Sequence, residues 1–540
     1  MDYKTLRAAD QLITHAKALK QAREYEQAIE HYLKAAKIYT DNLGQDKVEL
    51  GKIYTELGEA YNTIGLYNEA LEYFHEALVI LIKFYGKDNP VISTAYYNLG
   101  SVHKTLENWK EAIDCFDQAA ILDARHHGEN HFYVGKALSS IGACFDGMGK
   151  YKDALKYYFR AMDIFLDAQD LSTTAKTYNK IGSCYYKQGY YQDAIDFYKK
   201  SLTIFLKDPQ GSRDFEHGAT LLHLGKSYSH LGKHDIGIGY LEQALQIYVS
   251  TLGKDHPEVG RVSESLGIAH FKKGNITEAL DYCKKGLAIL LKAYGNTNSV
   301  ACSMHNLALL YMKNGEYTKA LDYYLKTLPV FLKTYGEGHN LVAMTYDQVG
   351  LIYSYLGDPE SAIHYHAKAL ETLKKLKGED DLKVANVYNN IGMAYCQLDK
   401  TQLAIENFIK ALGIRVKMLG EDALDVATVY NNMGLAYKIQ GDYDKAKANY
   451  EKAIAIGTQC VGEKHPDVET FVHNMKCLLE EEKSQICRLK KPATSSFRIT
   501  EGDIIKEERD EDSQNLSSQM RMSSIQANGG LTFGEIQQAQ

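Results

Sequence analysis

Residues 387–420 read VYNNIGMAYCQLDKTQLAIENFIKALGIRVKMLG, and residues 429–462 read VYNNMGLAYKIQGDYDKAKANYEKAIAIGTQCVG, the same pattern displaced by 42 positions. In both, a small residue (Gly392, Gly434) is followed by a tyrosine three positions on (Tyr395, Tyr437) and an alanine twelve on (Ala404, Ala446). An aromatic follows sixteen on (Phe408, Tyr450) and a second alanine nineteen on (Ala411, Ala453). Each half places apolar residues at i, i+3, i+4 and i+7, the spacing of an amphipathic helix. The small residue marks where two helices cross too closely for a larger side chain.

Working outward, the small residue recurs at Gly58, Gly100, Gly142, Gly182, Gly225, Gly267, Ala308 and Gly350, at spacings of 40 to 43. A degenerate copy at Ala16 makes eleven units over residues 9–468. Short turns such as Gly65-Leu66-Tyr67 separate the two halves of a unit. A second glycine closes most units (Gly44, Gly86, Gly128, Gly253, Gly295, Gly336, Gly378, Gly420, Gly462), which suggests left-handed helix caps. Residues 465–487 read as a capping helix for the last unit, and residues 488–540, rich in Ser and Gln with an acidic run Glu507-Glu508-Arg509-Asp510-Glu511-Asp512, as a disordered tail.

The repeat accounts for an odd composition. The 540 residues include 41 Tyr, one Trp and only 7 Pro. Few prolines fit a helical chain, and Pro90, Pro257 and Pro466 fall just ahead of helices, where proline is tolerated. The tyrosines are packing slots copied from unit to unit, with Trp109 in a turn slot that is usually tyrosine. A formal charge of −7 disfavours a nucleic-acid surface. The start lacks a signal-peptide core and no apolar run could span a bilayer. Nine scattered cysteines without a CxxC read as reduced core thiols, and the expected location is the cytoplasm.

The order small, aromatic, Ala, aromatic, Ala resembles the tetratricopeptide repeat. The 42-residue period and loops such as Leu252-Gly253-Lys254-Asp255-His256-Pro257 are similar to the long repeats of kinesin light chain and nephrocystin-3. The resemblance covers about 85% of the chain. It implies an all-α, right-handed superhelical solenoid of eleven hairpins and a non-enzymatic adaptor that binds protein partners through linear peptide motifs. A kinesin-light-chain-like motor–cargo adaptor, or the partner-binding array of a signalling or ciliary complex, is the alternative. The few residues ahead of the first unit show no heptad pattern like that of kinesin light chain, and no nucleotide-binding region is visible.

Candidate chemistry is sparse. Leu224-Gly225-Lys226-Ser227 imitates the end of a phosphate loop, but the glycine such a loop requires is Thr220. His126, His127 and His131 sit in a loop whose counterparts carry His256, His339 and His465 singly, so no metal is expected. His364 and His366 face different directions on one helix, and His366 takes an aromatic core slot. No catalytic constellation and no cofactor are expected. The inward positions of the first helices, two and six residues before the small residue, hold the candidate peptide-binding groove: Asn98, Lys136, Lys176, Lys180, Arg261, Asn306, Asn390 and Asn432. Amides can hold a peptide backbone from both its donors and acceptors. Lysines would select acidic side chains. The middle of the row is basic, with no acid at these positions, and the acidic tail is a candidate to fold into it. The competing reading is that the asparagines bond neighbouring helices.

Overall fold

The computed structural model describes residues 3–43, 48–207 and 215–489. All regular structure among them is helical. Two compact units, Met1–Lys254 and Asp255–Gln540, divide the chain.

The first unit contains α1 (Tyr3–Gln21), α2 (Tyr25–Leu43), α3 (Val48–Thr63), α4 (Tyr67–Tyr85), α5 (Pro90–Thr105), α6 (Trp109–His127), α7 (Phe132–Gly147), α8 (Tyr151–Asp167), α9 (Leu171–Lys187), α10 (Tyr191–Lys207), α11 (Phe215–His230) and α12 (His234–Leu252). The second contains α13 (Pro257–Lys273), α14 (Ile276–Tyr294), α15 (Asn298–Lys313), α16 (Tyr317–Tyr335), α17 (Asn340–Tyr355), α18 (Pro359–Lys377), α19 (Leu382–Gln397), α20 (Thr401–Leu419), α21 (Leu424–Gln440), α22 (Tyr443–Val461) and α23 (Pro466–Leu489). Odd and even helices up to α22 pair as eleven hairpins, and within each unit every even helix also packs on the next odd one. This is a helical-repeat solenoid, in which a repeat touches its neighbours and little else. Among the described residues no helix is long and apolar enough to cross a membrane.

One contact recurs in the hairpins. The side chain sixteen residues after the small residue lies directly over it. A Cβ at Gly58 would stand 2.7 Å from Phe74, at Gly182 2.7 Å from Tyr198, at Gly392 2.5 Å from Phe408 and at Gly434 2.7 Å from Tyr450. Where the ring is lost, Leu241 or Cys283 fills the slot over Gly225 or Gly267. His366 does so over Gly350 and is wholly buried.

A second ring column was not evident from the period alone. The residue fifteen after the small one stacks on the aromatic three after it. Tyr61–Tyr73, Tyr185–Phe197, Tyr311–Tyr323 and Tyr353–Tyr365 have ring centroids 5.4–5.7 Å apart and planes within 15°. The turn-slot aromatic reaches forward to the next hairpin. Tyr191 stacks on His230 at 4.7 Å and Tyr317 on Tyr355 at 4.6 Å. Trp109 meets Gly147 at the equivalent place, where a Cβ would stand 2.6 Å from the indole. The larger ring is matched by the absence of a side chain opposite it.

The loop residues follow a shared logic. His131, His256, His339 and His465 each accept, through Nδ1, the backbone N–H two residues on, at 3.2–3.4 Å. Asn89 and Asp381 do the same with a side-chain oxygen at 3.0 and 2.8 Å. These side chains satisfy orphan donors at helix starts. Pro90, Pro257, Pro359 and Pro466 are first residues of their helices, whereas Pro329 lies inside α16.

The unit-closing glycines depart from the left-handed cap expected of them. Gly86, Gly253 and Gly420 have φ of 81–88° but ψ of 157–168°, an extended region open essentially to glycine alone. The chain must leave the helix straight to reach the next capping residue. Gly44 lies outside the described residues.

Two glycines of one hairpin, Gly392 and Gly413, differ in what surrounds them. Gly392→Val is expected to destabilise the protein by about 1–3 kcal/mol through overpacking against Phe408. Gly413 on α20 has nothing within 4 Å of its Cβ position. Gly413→Ala should therefore be neutral or stabilising by up to about 1 kcal/mol. Thermal unfolding of the two variants beside the parent checks both signs.

Candidate functional site

The first helices of the two units present different inner walls. In the second unit they are enclosed. Every residue from Leu341 to Ile352 of α17 is buried. Asn306, Asn390 and Asn432, expected on an open groove, are only 3%, 6% and 0% exposed. Neighbouring helices take up the amides. Asn390 Nδ2 donates to Asp347 Oδ1 at 3.2 Å, and His366 Nδ1 bonds the same oxygen at 2.7 Å. Asn432 Nδ2 donates to Asn389 Oδ1 at 2.9 Å, and Asn474 Nδ2 on α23 to Asn431 Oδ1 at 2.9 Å. Most buried amides are paired, and in these three bonds the partner is one repeat away. Asn306 Oδ1 is buried without a partner. Arg261, on α13, is exposed and 3.6 Å from Glu258.

The first unit keeps its wall open. A cleft of about 420 Å³ runs across α5, α7, α9 and α11, and brings Lys136, Lys176 and Lys180 together. Lys180 Nζ donates to Ser139 Oγ at 2.9 Å. Lys136 Nζ sits 4.9 Å from the centre of the Tyr97 ring. Tyr97 Oη and Ser140 Oγ are 3.2 Å apart, and Asn179 Nδ2 donates to Thr220 Oγ1 at 2.7 Å. Asn179 Oδ1 has no partner. Lys176 is exposed. Asn98, also on α5, is half-buried with Nδ2 unpartnered and does not line the cleft.

The electrostatics follow from crowding. Lys180 remains open to solvent, yet the surrounding protein, with Lys104 and Lys176 nearby, lowers its ammonium pKa to about 8. His223, stacked at 5.3 Å on Tyr198 and desolvated, is lowered to about 3 and is neutral at physiological pH. The cleft also holds one carboxylate, Glu216. Glu216 stands nine residues before Gly225, outside the two inward positions read from the repeat. Tyr97, Ser139 and Asn179, three residues before their small residues, were likewise missed. One position further from the crossing point still faces the cleft, because adjacent helix positions are only about 100° apart.

The cleft is built from the faces of repeated helical hairpins. The sequence model of the family described as Tetratricopeptide repeat matches residues 10–83, 49–120, 91–167, 216–292, 299–375 and 383–459, and a second tetratricopeptide model matches 175–208. The chain belongs to the tetratricopeptide repeat family. Tetratricopeptide repeat proteins bind protein partners, and this array is a protein-interaction scaffold. Among solved structures, BtubC (BKLC) from P. vanneervenii is 22% identical over 50% of this chain and 97% of its own, with a TM-score of 0.36. The apo form of RapI is 17% identical over 53% of this chain and 98% of its own, with a TM-score of 0.43. No curated protein matches the chain. Among the described residues no group of three or more His, Cys, Asp or Glu side chains is placed to hold a metal ion. His127 and His131 stack at 4.5 Å, with His131 engaged as a helix cap.

The two kinds of asparagine should separate on mutation. Asn432→Ala leaves the buried Asn389 and Asn431 amides short of a partner and is expected to cost about 1–3 kcal/mol. Asn98→Ala removes an amide that bonds nothing and should stay within about 0.5 kcal/mol. Thermal unfolding of each variant checks the difference.

Proposed function

We propose that the protein is a non-enzymatic cytoplasmic scaffold that captures extended acidic peptide segments of partner proteins on the first-helix wall of its amino-terminal unit. The observation that carries this is the convergence of Lys136, Lys176 and Lys180 in one open cleft, with Ser, Thr and Asn groups between them. Ammoniums on neighbouring helices would meet carboxylates spaced along a peptide. Asn179 Oδ1 and the hydroxyls would meet its backbone N–H and C=O groups. Glu216 at the margin would disfavour acids there and so help set register. Asn98 and Arg261 extend the same inner positions along their own helices. In this reading Asn306, Asn390 and Asn432 hold the array in shape and touch the ligand least. The α23 helix, packed on α22, closes the last repeat.

Titration of a fluorescent Glu-rich peptide tests the proposal. Joint Lys136→Ala, Lys176→Ala and Lys180→Ala replacement in the full chain should weaken binding by about tenfold or more, and the parent affinity should fall as salt rises. The pH dependence has a defined sign. Lys180 is charged below about 8 and neutral above it. Affinity for an anionic peptide should therefore fall as pH is raised from 7 to about 9, and Lys180→Arg, charged throughout, should flatten that fall. An affinity indifferent to all three lysines would remove the cleft from the account.

A further inference from the structure

The second helices of the carboxy-terminal unit carry a lysine row of their own. Eighteen residues after the small residue stand Lys285, Lys326, Lys368, Lys410 and Lys452, one in each of five successive hairpins and all exposed. Each ammonium lies over a tyrosine: Lys285 5.8 Å from Tyr282, Lys326 5.5 Å from Tyr323, Lys368 5.5 Å from Tyr346, Lys410 5.5 Å from Tyr388 and Lys452 5.3 Å from Tyr430. The ring face holds the cation in place while leaving its N–H donors for another acceptor.

A second lysine row, seven positions further on, behaves differently. Lys292 pairs with Asp255 at 3.2 Å, Lys375 with Glu371 at 2.7 Å and Lys417 with Asp380. Those charges are already matched, two of them by an acid in the preceding loop. In the tyrosine-backed row only Lys326 has a carboxylate, Asp322 at 2.6 Å. Among the described residues Lys285, Lys368, Lys410 and Lys452 have no ion pair, not even Lys410 with Glu406 one turn before it. Three positioned cations on consecutive hairpins, Lys368, Lys410 and Lys452, are left without an anion among the described residues.

We propose that this row binds the chain's own acidic segment, Glu507 to Asp512, with Lys368, Lys410 and Lys452 as its contacts. The segment carries five carboxylates against one arginine. It lies outside the described residues and follows in the chain after α23, which packs on α22, the helix bearing Lys452. The stretch between Leu489 and Glu507 can span up to about 60 Å, and six extended residues cover about 20 Å. Successive second helices pack on the first helix between them, and packed helices lie roughly 10 Å apart, so neighbouring lysines of the row stand within roughly 20 Å and the segment reaches those of two hairpins at a time. Exposed ion pairs are individually weak, and tethering supplies the local concentration that makes several of them count together. The inference stands independently of the peptide cleft.

Zero-length carbodiimide crosslinking of the full chain, read by mass spectrometry on a mixture of isotopically light and heavy protein, tests it. Within-chain crosslinks from residues 507–512 to Lys368, Lys410 or Lys452 are expected, and should fall by about fivefold or more at high salt. Crosslinks to other lysines only, crosslinks between chains only, or none would overturn the proposal. A second measurement is tryptic cleavage after Lys506 and Arg509. It should speed up by about threefold or more when Lys368, Lys410 and Lys452 are each changed to Gln, because cleavage tracks the free population of the segment. An unchanged rate would overturn the proposal equally.

Discussion

The rest of the structure depends on a ring laid over a glycine. Within a hairpin the two helices can approach because the first carries only glycine or alanine at the crossing, and over the glycines the space left is filled by the residue sixteen positions on. A contact of this kind is short-range, tolerates little change in volume, and is repeated without needing information from elsewhere in the chain. Copying it yields an array in which each hairpin has the same internal geometry. Its outward faces are then free to differ from one unit to the next.

Those faces do differ. In the carboxy-terminal unit the inner positions are enclosed and polar groups there bond to one another: Asn390 to Asp347, Asn432 to Asn389, Asn474 to Asn431. In the amino-terminal unit the same positions carry lysines too long and too charged to be buried without a partner, and the wall stays open. The same repeat slot therefore serves cohesion in one unit and presents cations in the other. Side-chain length and charge decide between the two.

The fold was legible in the sequence because its cause is local. The small residue, the ring over it, the alanines and the prolines at helix starts all lie within one repeat, at spacings that a helix translates directly into contacts. What stayed hidden lies between repeats or beside a slot already read. The stacked ring fifteen positions on adjoins the buried one sixteen on and merges with it in the pattern. Trp109 is explained only by Gly147, in the next hairpin. The histidines of the loops read as loop chemistry, but their service as helix caps required the backbone. The closing glycines were recognisable, and their extended conformation was not. At the candidate site, Lys136, Lys176 and Lys180 were found by counting back from the glycine. Glu216 lies at a position that such counting passes over, and the enclosure of Asn306, Asn390 and Asn432 depends on how tightly successive first helices pack.

The division between an open cationic wall and an enclosed amide wall is the central claim. Backbone hydrogen exchange of the full chain, with and without a saturating Glu-rich peptide, tests it most directly. Slowed exchange is expected in α7 and α9, around Lys136, Lys176 and Lys180, with the first helices α15, α17, α19 and α21 unchanged. Slowed exchange confined to those four helices, or none at saturation, would contradict it.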